Sequence, residues 1–235
     1  MYDTTHISTT DVLILCGGLG TRLRSLGGGD PKVLLRFGEK VFIDILIESI
    51  VPFGFRRFVM CTGFQKGRVK EHFKHKKLDI LFSEEDEALG TGGAVKKAMA
   101  YIKSSPFLVL NGDSLCRIDY TKFLEFHGSK GGLLSIVLAR PIADSGYGII
   151  NIDENYKVTN FQEKAKAHKG DYINAGIYLL NHEIFRFMPN ATKFSLEYDL
   201  FPNVLMQGCY GFVAEEEVID IGTPERYYRA KIVFS

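Results

Sequence analysis

The chain has 235 residues, 46% of them apolar and 24% charged, with 24 glycines and seven prolines. That balance excludes a disordered chain, a collagen, a coiled coil and a disulfide-dense miniprotein, and the length is ample for a large core. Formal net charge is +1, with 29 basic against 28 acidic residues; this is no electrostatic footprint for nucleic acid or an anionic membrane, so neither is expected as a partner.

The N-terminus, MYDTTHISTT, is polar and lacks a basic, apolar leader, and no apolar run reaches ~18 residues. A cytoplasmic location with reduced thiols is expected. The four cysteines, Cys16, Cys61, Cys116 and Cys209, form no CxxC pair and read as buried small apolar side chains.

Short apolar runs then alternate with amphipathic stretches. Residues 11–16 (DVLILC) read as a buried strand ending at glycines, 41–51 as a helix, 57–61 as a strand and 66–73 as a helix. Residues 78–82 read as a strand, 91–103 as a helix opened by glycines, and 107–110 as a strand ending at Asn111-Gly112-Asp113. This order predicts a parallel sheet with helices on both faces. Further on, 133–139, 147–152, 157–163 and 171–180 are strand-like, with a hairpin turn at Asp153-Glu154-Asn155. Residues 194–206 read as helical, interrupted by Pro202. Residues 210–213 and 218–221 read as closing strands. The final helix, 223–233, has Thr223 as its cap and Pro224 next. No repeat or linker divides the chain. One domain over 1–235 is expected, with a first half (1–115) and a second half (116–235) sharing one sheet.

The strongest chemical signal is Leu15-Cys16-Gly17-Gly18-Leu19-Gly20-Thr21-Arg22 directly after the first strand. Glycines there let backbone amides approach an anion, and consecutive N–H groups form a concave nest. Arg22 adds a bidentate phosphate fork, and Lys32 follows a second flexible turn, Gly27-Gly28-Gly29-Asp30. The Walker pattern is absent and the glycine spacing misses the dinucleotide fingerprint. A plain strand-to-helix turn is the alternative; glycines with Arg22 and Lys32 favour a triphosphate site.

These residues resemble the signature of the sugar-1-phosphate nucleotidyltransferases, and the resemblance runs the length of the chain. Leu89-Gly90-Thr91-Gly92-Gly93 resembles the family's second nucleotide loop, and Asn111-Gly112-Asp113 its metal-binding strand end. Tyr147-Gly148, Glu163-Lys164 and Asn174-Ala175-Gly176 resemble its sugar-side segments, and Asp220-Ile221-Gly222-Thr223-Pro224 its second metal carboxylate and closing helix. The resemblance implies a Rossmann-like α/β/α fold with three layers and a mixed, mostly parallel central sheet. It also implies an enzyme that joins a nucleoside triphosphate to a sugar 1-phosphate with release of pyrophosphate.

In that frame Asp113 and Asp220 are the Mg²⁺ ligands, and Arg22, Lys32 and Asp113 the catalytic residues. Leu15, Gly17, Gly18, Gly20, Thr21, Arg22, Glu85, Gly90, Thr91 and Gly92 hold the nucleotide. Gly148, Glu163, Lys164, Asn174 and Glu197 hold the sugar. The plain readings are a turn-forming aspartate at 113, a helix-leading one at 220, and for Glu197 a first-turn residue behind the cap Ser195.

Base choice has a physical basis. The loop Ser83-Glu84-Glu85-Asp86-Glu87 holds four acids and no amide. Guanine presents two adjacent donors, which a carboxylate accepts. GTP is therefore the expected nucleotide, read by Glu85 first and Glu84 second; a solvated acidic loop is the alternative. Asp144-Ser145-Gly146-Tyr147-Gly148 and Phe194-Ser195-Leu196-Glu197 resemble the bacterial heptose 1-phosphate guanylyltransferases, which act in surface glycan synthesis (lipopolysaccharide, capsule). This points to D-glycero-D-manno-heptose 1-phosphate as the acceptor. Pro31-Lys32-Val33-Leu34 stands where the family has PKPM, Gly146 where the heptose enzymes often have arginine, and Ala175 where glycine is common. Uridylyl, thymidylyl or guanylyl transfer to a hexose or amino sugar 1-phosphate stays open. So do a catalytically silent nucleotide-sugar sensor and a homo-oligomeric state.

Overall fold

The computed structural model describes residues 4–18, 20, 23, 29–141, 145–166 and 171–234, with backbone alone for 4–6, 145–147 and 163–166. A short helix α1 (Thr4–Thr9) leads into strand β1 (Asp11–Leu15). A small hairpin, β2 (Arg36–Phe37) and β3 (Lys40–Val41), precedes α2 (Phe42–Ile50). Then follow β4 (Arg57–Thr62), α3 (Lys66–Phe73), β5 (Asp79–Glu84), α4 (Gly90–Ala98) and β6 (Phe107–Asn111). Strands β4, β1 and β6 lie side by side in parallel, with β5 parallel at the outer edge.

Both faces of this half-sheet are covered, which explains the unbroken apolar runs. Val12, Ile14, Phe58, Met60, Leu108 and Leu110 turn to one face, where α2 packs. Leu13, Val59, Cys61 and Val109 turn to the other, against Ala94, Val95 and Ala98 of α4. The period-two alternation thus feeds two cores at once. Full burial of each Leu or Val contributes about 1.5–3 kcal/mol.

The second half adds β7 (Ser114–Leu115), α5 (Tyr120–Lys130), β8 (Leu134–Ala139), β9 (Ser145–Ile152), β10 (Val158–Lys166) and β11 (Tyr172–Leu180). It closes with α6 (Phe201–Val204), β12 (Cys209–Val213), β13 (Ile219–Asp220) and α7 (Pro224–Val233). Strand β11 joins β6 antiparallel and carries the sheet onward, so nine strands form one sheet. β9 pairs antiparallel with β11 and β10, and β8 pairs antiparallel with β11 and parallel with β12. All but β10 and β11 run the same way. The sheet is mixed and mostly parallel, as expected.

Three expectations need correction. Residues 194–206 are not one helix: a π-helical turn over Leu196–Leu200 gives way to the four-residue α6 and a 3₁₀ turn. Pro202 lies where the winding changes, and its missing N–H removes a helical donor there. Residues 218–221 do not close the main sheet; β13 pairs antiparallel with β7 in a separate ladder that sets Asp220 opposite Ser114. The helix expected over 91–103 stops at Ala98 and ends in a 3₁₀ turn. In addition, α5, capped by Asp119 and ended by the left-handed Gly131, has no counterpart in the sequence reading. The four cysteines are free and buried.

Candidate active site

β1 and β6 end beside each other, and a cleft of about 250 Å³ opens past their last residues. Such a strand-end crevice is where open α/β sheets place ligands. Its floor is Leu15, Cys16 and Asn111. Its walls include Gly17, Gly18, Lys32, Glu85, Gly90, Thr91 and Asp113. Burial pushes the Cys16 thiol well above its usual range, so it is an inert piece of floor.

The glycine turn has identifiable causes. A Cβ on Gly17 would stand 2.7 Å from Glu85 Oε1, so glycine there lets the carboxylate lie against the backbone. Around Gly18 the space is open, and Gly20 has φ +56°, a left-handed value that favours glycine. Thr21 and Arg22 lie outside the described residues.

Glu85 follows β5. It is 5% exposed, and its Oε2 accepts from the Leu89 N–H at 3.0 Å. Burial raises its carboxyl above the ordinary glutamate range, against the opposing pull of that N–H and of Lys97. Glu84, the second candidate, turns away from the cleft to Lys70, at 2.7 Å, and Lys66.

Lys32 opens a 3₁₀ turn after Pro31 and pairs with Asp113 Oδ2. Asp113 lies just beyond β6, and its carbonyl accepts from Ile221 N at 3.0 Å. That bond and the β7–β13 ladder bring Asp220 alongside. Asp220 Oδ1 accepts from Gly222 N, and Oδ2 accepts from Arg226 Nη1 at 2.8 Å. Burial, and after it the charge of Asp113, hold the Asp220 carboxyl above the ordinary range; Arg226, Lys32 and the Gly222 N–H pull it down. The two carboxylates therefore lie within electrostatic reach of each other and of Lys32, although Asp220 lines a neighbouring hollow with Arg226 rather than the cleft itself. Among the described residues no three of His, Cys, Asp or Glu cluster. A carboxylate pair still fits Mg²⁺, which takes one or two and fills its remaining positions from phosphates and water.

The second glycine loop has a different job from the first. Gly90 and Thr91 line the cleft, but a Cβ on Gly90 would stand 2.5 Å from the Phe194 carbonyl oxygen. One on Gly92 would stand 2.3 Å from the Phe194 ring, and one on Gly93 2.3 Å from the Thr192 carbonyl oxygen. Gly92 N and Gly93 N donate to the Phe194 carbonyl at 3.0 and 3.2 Å. These glycines admit the segment 192–196, and the Gly92 amide expected on a nucleotide is spent on it.

On the sugar side, Gln162 pairs with Ile149 and Ala165 with Tyr147, so Glu163 and Lys164 together oppose Gly148. The three expected residues meet at a β-bulge, a device that re-aims side chains; the Glu163 and Lys164 side chains are outside the described set. Asn174 lies at a second irregularity, where Gly176 (φ +74°) passes the Asn111 side chain. Its Oδ1 accepts from Gly176 N at 2.9 Å, and its Nδ2 donates to Tyr178 Oη at 2.8 Å. Glu197 is buried and bonded within the protein to Tyr178, Thr91 and Ser195.

Two residues to which the sequence reading gave no role matter here, Tyr178 being only the end of the segment Asn174-Ala175-Gly176-Ile177-Tyr178. Arg226 sits in the first turn of α7, where the helix dipole disfavours a cation, and that conflict was its signal. Tyr178 is fully buried, and a buried phenol needs a partner.

The model of the nucleotidyl transferase family matches residues 11–233. A D-glycero-alpha-D-manno-heptose 1-phosphate guanylyltransferase of Campylobacter jejuni is 36% identical over 218 residues, covering 92% of this chain and 96% of that protein. A mannose-1-phosphate guanylyltransferase catalytic subunit beta of Drosophila melanogaster is 34% identical over 226 residues, covering 93% of this chain and 61% of that one. The crystal structure of HddC from Yersinia pseudotuberculosis complexed with GMP-PN matches with a TM-score of 0.83 and 36% identity, covering 96% of this chain and all of that one.

Proposed function

This chain belongs to the nucleotidyl transferase family, and we propose that it transfers the guanylyl group of GTP to D-glycero-D-manno-heptose 1-phosphate. A phosphate oxygen of the sugar attacks the α-phosphorus, the bond to the β-phosphate oxygen breaks, and pyrophosphate leaves as the GDP-sugar forms. The observation that carries the base choice is the Glu85 carboxylate, buried in the cleft wall against Gly17 and reaching the space beyond β1. It supplies the acceptors that guanine's adjacent donors need. The similar heptose 1-phosphate guanylyltransferase supports the acceptor.

Two anions must meet in this reaction, so charge stabilisation and positioning do most of the work. Lys32, which lines the cleft and pairs with Asp113, bridges the reacting phosphates once it leaves Asp113. Arg22 holds the leaving phosphates, and Lys164 the sugar phosphate. Asp113 and Asp220 would hold Mg²⁺, with Arg226 fixing the Asp220 carboxylate, and the ion would supply positive charge against the triphosphate. Glu163, Asn174 and the Gly148 backbone face the sugar. No helix among the described residues is long and apolar enough to cross a membrane. With all four cysteines unpaired, we place the reaction in the cytoplasm.

Pyrophosphate release over a grid of nucleoside triphosphates and sugar 1-phosphates tests this. Turnover confined to GTP with the heptose supports the reading. Turnover with mannose 1-phosphate instead replaces the acceptor and keeps the base. No turnover on the grid, with GTP bound, overturns the enzyme reading in favour of a sensor.

A further inference from the structure

The Glu197 carboxylate stands where the two halves of the chain meet, and three hydroxyls donate to it. Thr91 Oγ1 and Ser195 Oγ each reach Oε2 at 2.6 Å, and Tyr178 Oη reaches Oε1 at 3.2 Å. Thr91 Oγ1 also accepts from Leu196 N at 2.9 Å, so its hydroxyl is engaged on both sides. Tyr178 Oη accepts from the Asn174 amide at 2.8 Å. An unbroken hydrogen-bonded chain therefore runs from Thr91, on the wall of the nucleotide cleft, through Glu197 and Tyr178 to Asn174 on β11.

Asn174 is fixed at both ends of its amide. Its oxygen takes the Gly176 N–H and one of its N–H bonds goes to Tyr178, which leaves the direction of the second N–H set by this chain. The central residue has to accept on two oxygens at once. A carboxylate does that and a glutamine does not. Burying a carboxylate is costly, and a purely structural link would be made more cheaply by neutral groups.

We propose that Glu197 and Tyr178 are positioning residues that tie the orientation of the Asn174 amide to that of Thr91, so that filling the nucleotide cleft tightens the site for the sugar 1-phosphate. The inference rests on the guanylyltransferase reading for the identity of the two ligands. It also reassigns Glu197, which acts on the sugar through Asn174 rather than by touching it. Coupling between two sites is reciprocal, so the sugar 1-phosphate tightens GTP by the same factor.

Tyr178→Phe is the clean test, because the ring stays packed on Phe201 and only the hydroxyl is lost. In the wild type, KM for the sugar 1-phosphate falls as GTP rises towards saturation. In Tyr178→Phe that dependence flattens, and the sugar KM at saturating GTP rises about tenfold. The GTP KM extrapolated to zero sugar moves by less than about twofold, because the cleft itself is intact. Thr91→Val gives the same flattening, and Thr91→Ser, which keeps the hydroxyl, restores the wild-type dependence. A sugar KM in Tyr178→Phe equal to wild type, or a Thr91→Ser variant no better than Thr91→Val, overturns the proposal.

Hydrogen exchange gives a second reading without turnover. A non-hydrolysable GTP analogue added to the wild type slows exchange in 172–177 as well as in 89–92, and in Tyr178→Phe it slows 89–92 alone. Protection confined to 89–92 in the wild type overturns the coupling and leaves the guanylyltransferase reading standing. An analogue that protects neither segment overturns both.

Discussion

The two sides of the cleft are built from different interactions. Beyond β6 and β13, charges stand against charges: Lys32 holds Asp113, and Arg226 holds Asp220. Around β11 and the π-helical turn, three hydroxyls surround one carboxylate, and an amide joins through one of those hydroxyls. The charged side has its groups neutralised by each other. The hydroxyl side keeps fixed partners and stores direction rather than charge. Loss of a residue on the first side should therefore strike the chemical step. Loss on the second should strike the affinity of one substrate in the presence of the other.

The largest effect expected follows from Lys32→Ala. Removing the cation should lower kcat by a factor of about 10²–10³, the loss typical of a group that stabilises transition-state charge. Steady-state rates of pyrophosphate release check this. A loss no greater than that of Tyr178→Phe would erase the distinction between the two sides.

Gly92→Ala sharpens the same distinction at the seam between them. Its Cβ would stand 2.3 Å from the Phe194 ring. Overpacking of this kind costs about 1–3 kcal/mol. Calorimetry should find Tm lower by about 3–9 °C, with a smaller change in kcat than Lys32→Ala causes.

The smallest effect lies at Glu85. Glu85→Gln should cut the preference for GTP over UTP by about tenfold, worth about 1.4 kcal/mol, the scale of one charge-assisted hydrogen bond. Burial raises the Glu85 carboxyl in the folded chain, so its folded-state contribution to stability is full below the unfolded pKa and is lost as pH rises through the folded one. Glu85→Gln should therefore raise Tm at pH 8 and leave it unchanged at pH 4. The GTP KM of the wild type should begin to climb, as pH falls, earlier than an ordinary glutamate would dictate, and that climb should vanish in Glu85→Gln.

The parallel half of the fold was legible because its strands are buried on both faces and read as unbroken apolar runs. The ends of those runs mark the cleft, so Gly17, Asp113 and Glu85 were nameable from sequence, and Lys32 was nameable from the glycine turn before it and the family resemblance. Helix α5 went unread although Tyr120, Phe123 and Leu124 are spaced for a helix, because the next inward position is the polar His127. Inside, its Nδ1 lies 2.8 Å from Ser135 Oγ, a partner that only the tertiary fold supplies. Residues 194–206 misled in the opposite sense: local periodicity suggested one helix, whereas docking on α4 and Pro202 divided the stretch. Tyr178 reads as one more apolar residue of INAGIYLL until its hydroxyl is seen between Asn174 and Glu197. Gly92 and Gly93 read as part of a nucleotide loop until Phe194 and Thr192 are seen against them.

That last fit has a consequence for how such a chain can vary. The hollow at Gly90, Gly92 and Gly93 and the ring and carbonyls of 192–194 are two halves of one shape, written a hundred residues apart. A methyl gained at 92 is tolerable only if the side chain at 194 shrinks, and a smaller side chain at 194 leaves a void unless 92 grows. The two stretches therefore fit only as a matched pair. A recombination point placed between them would hand each half a partner cut to a different pattern.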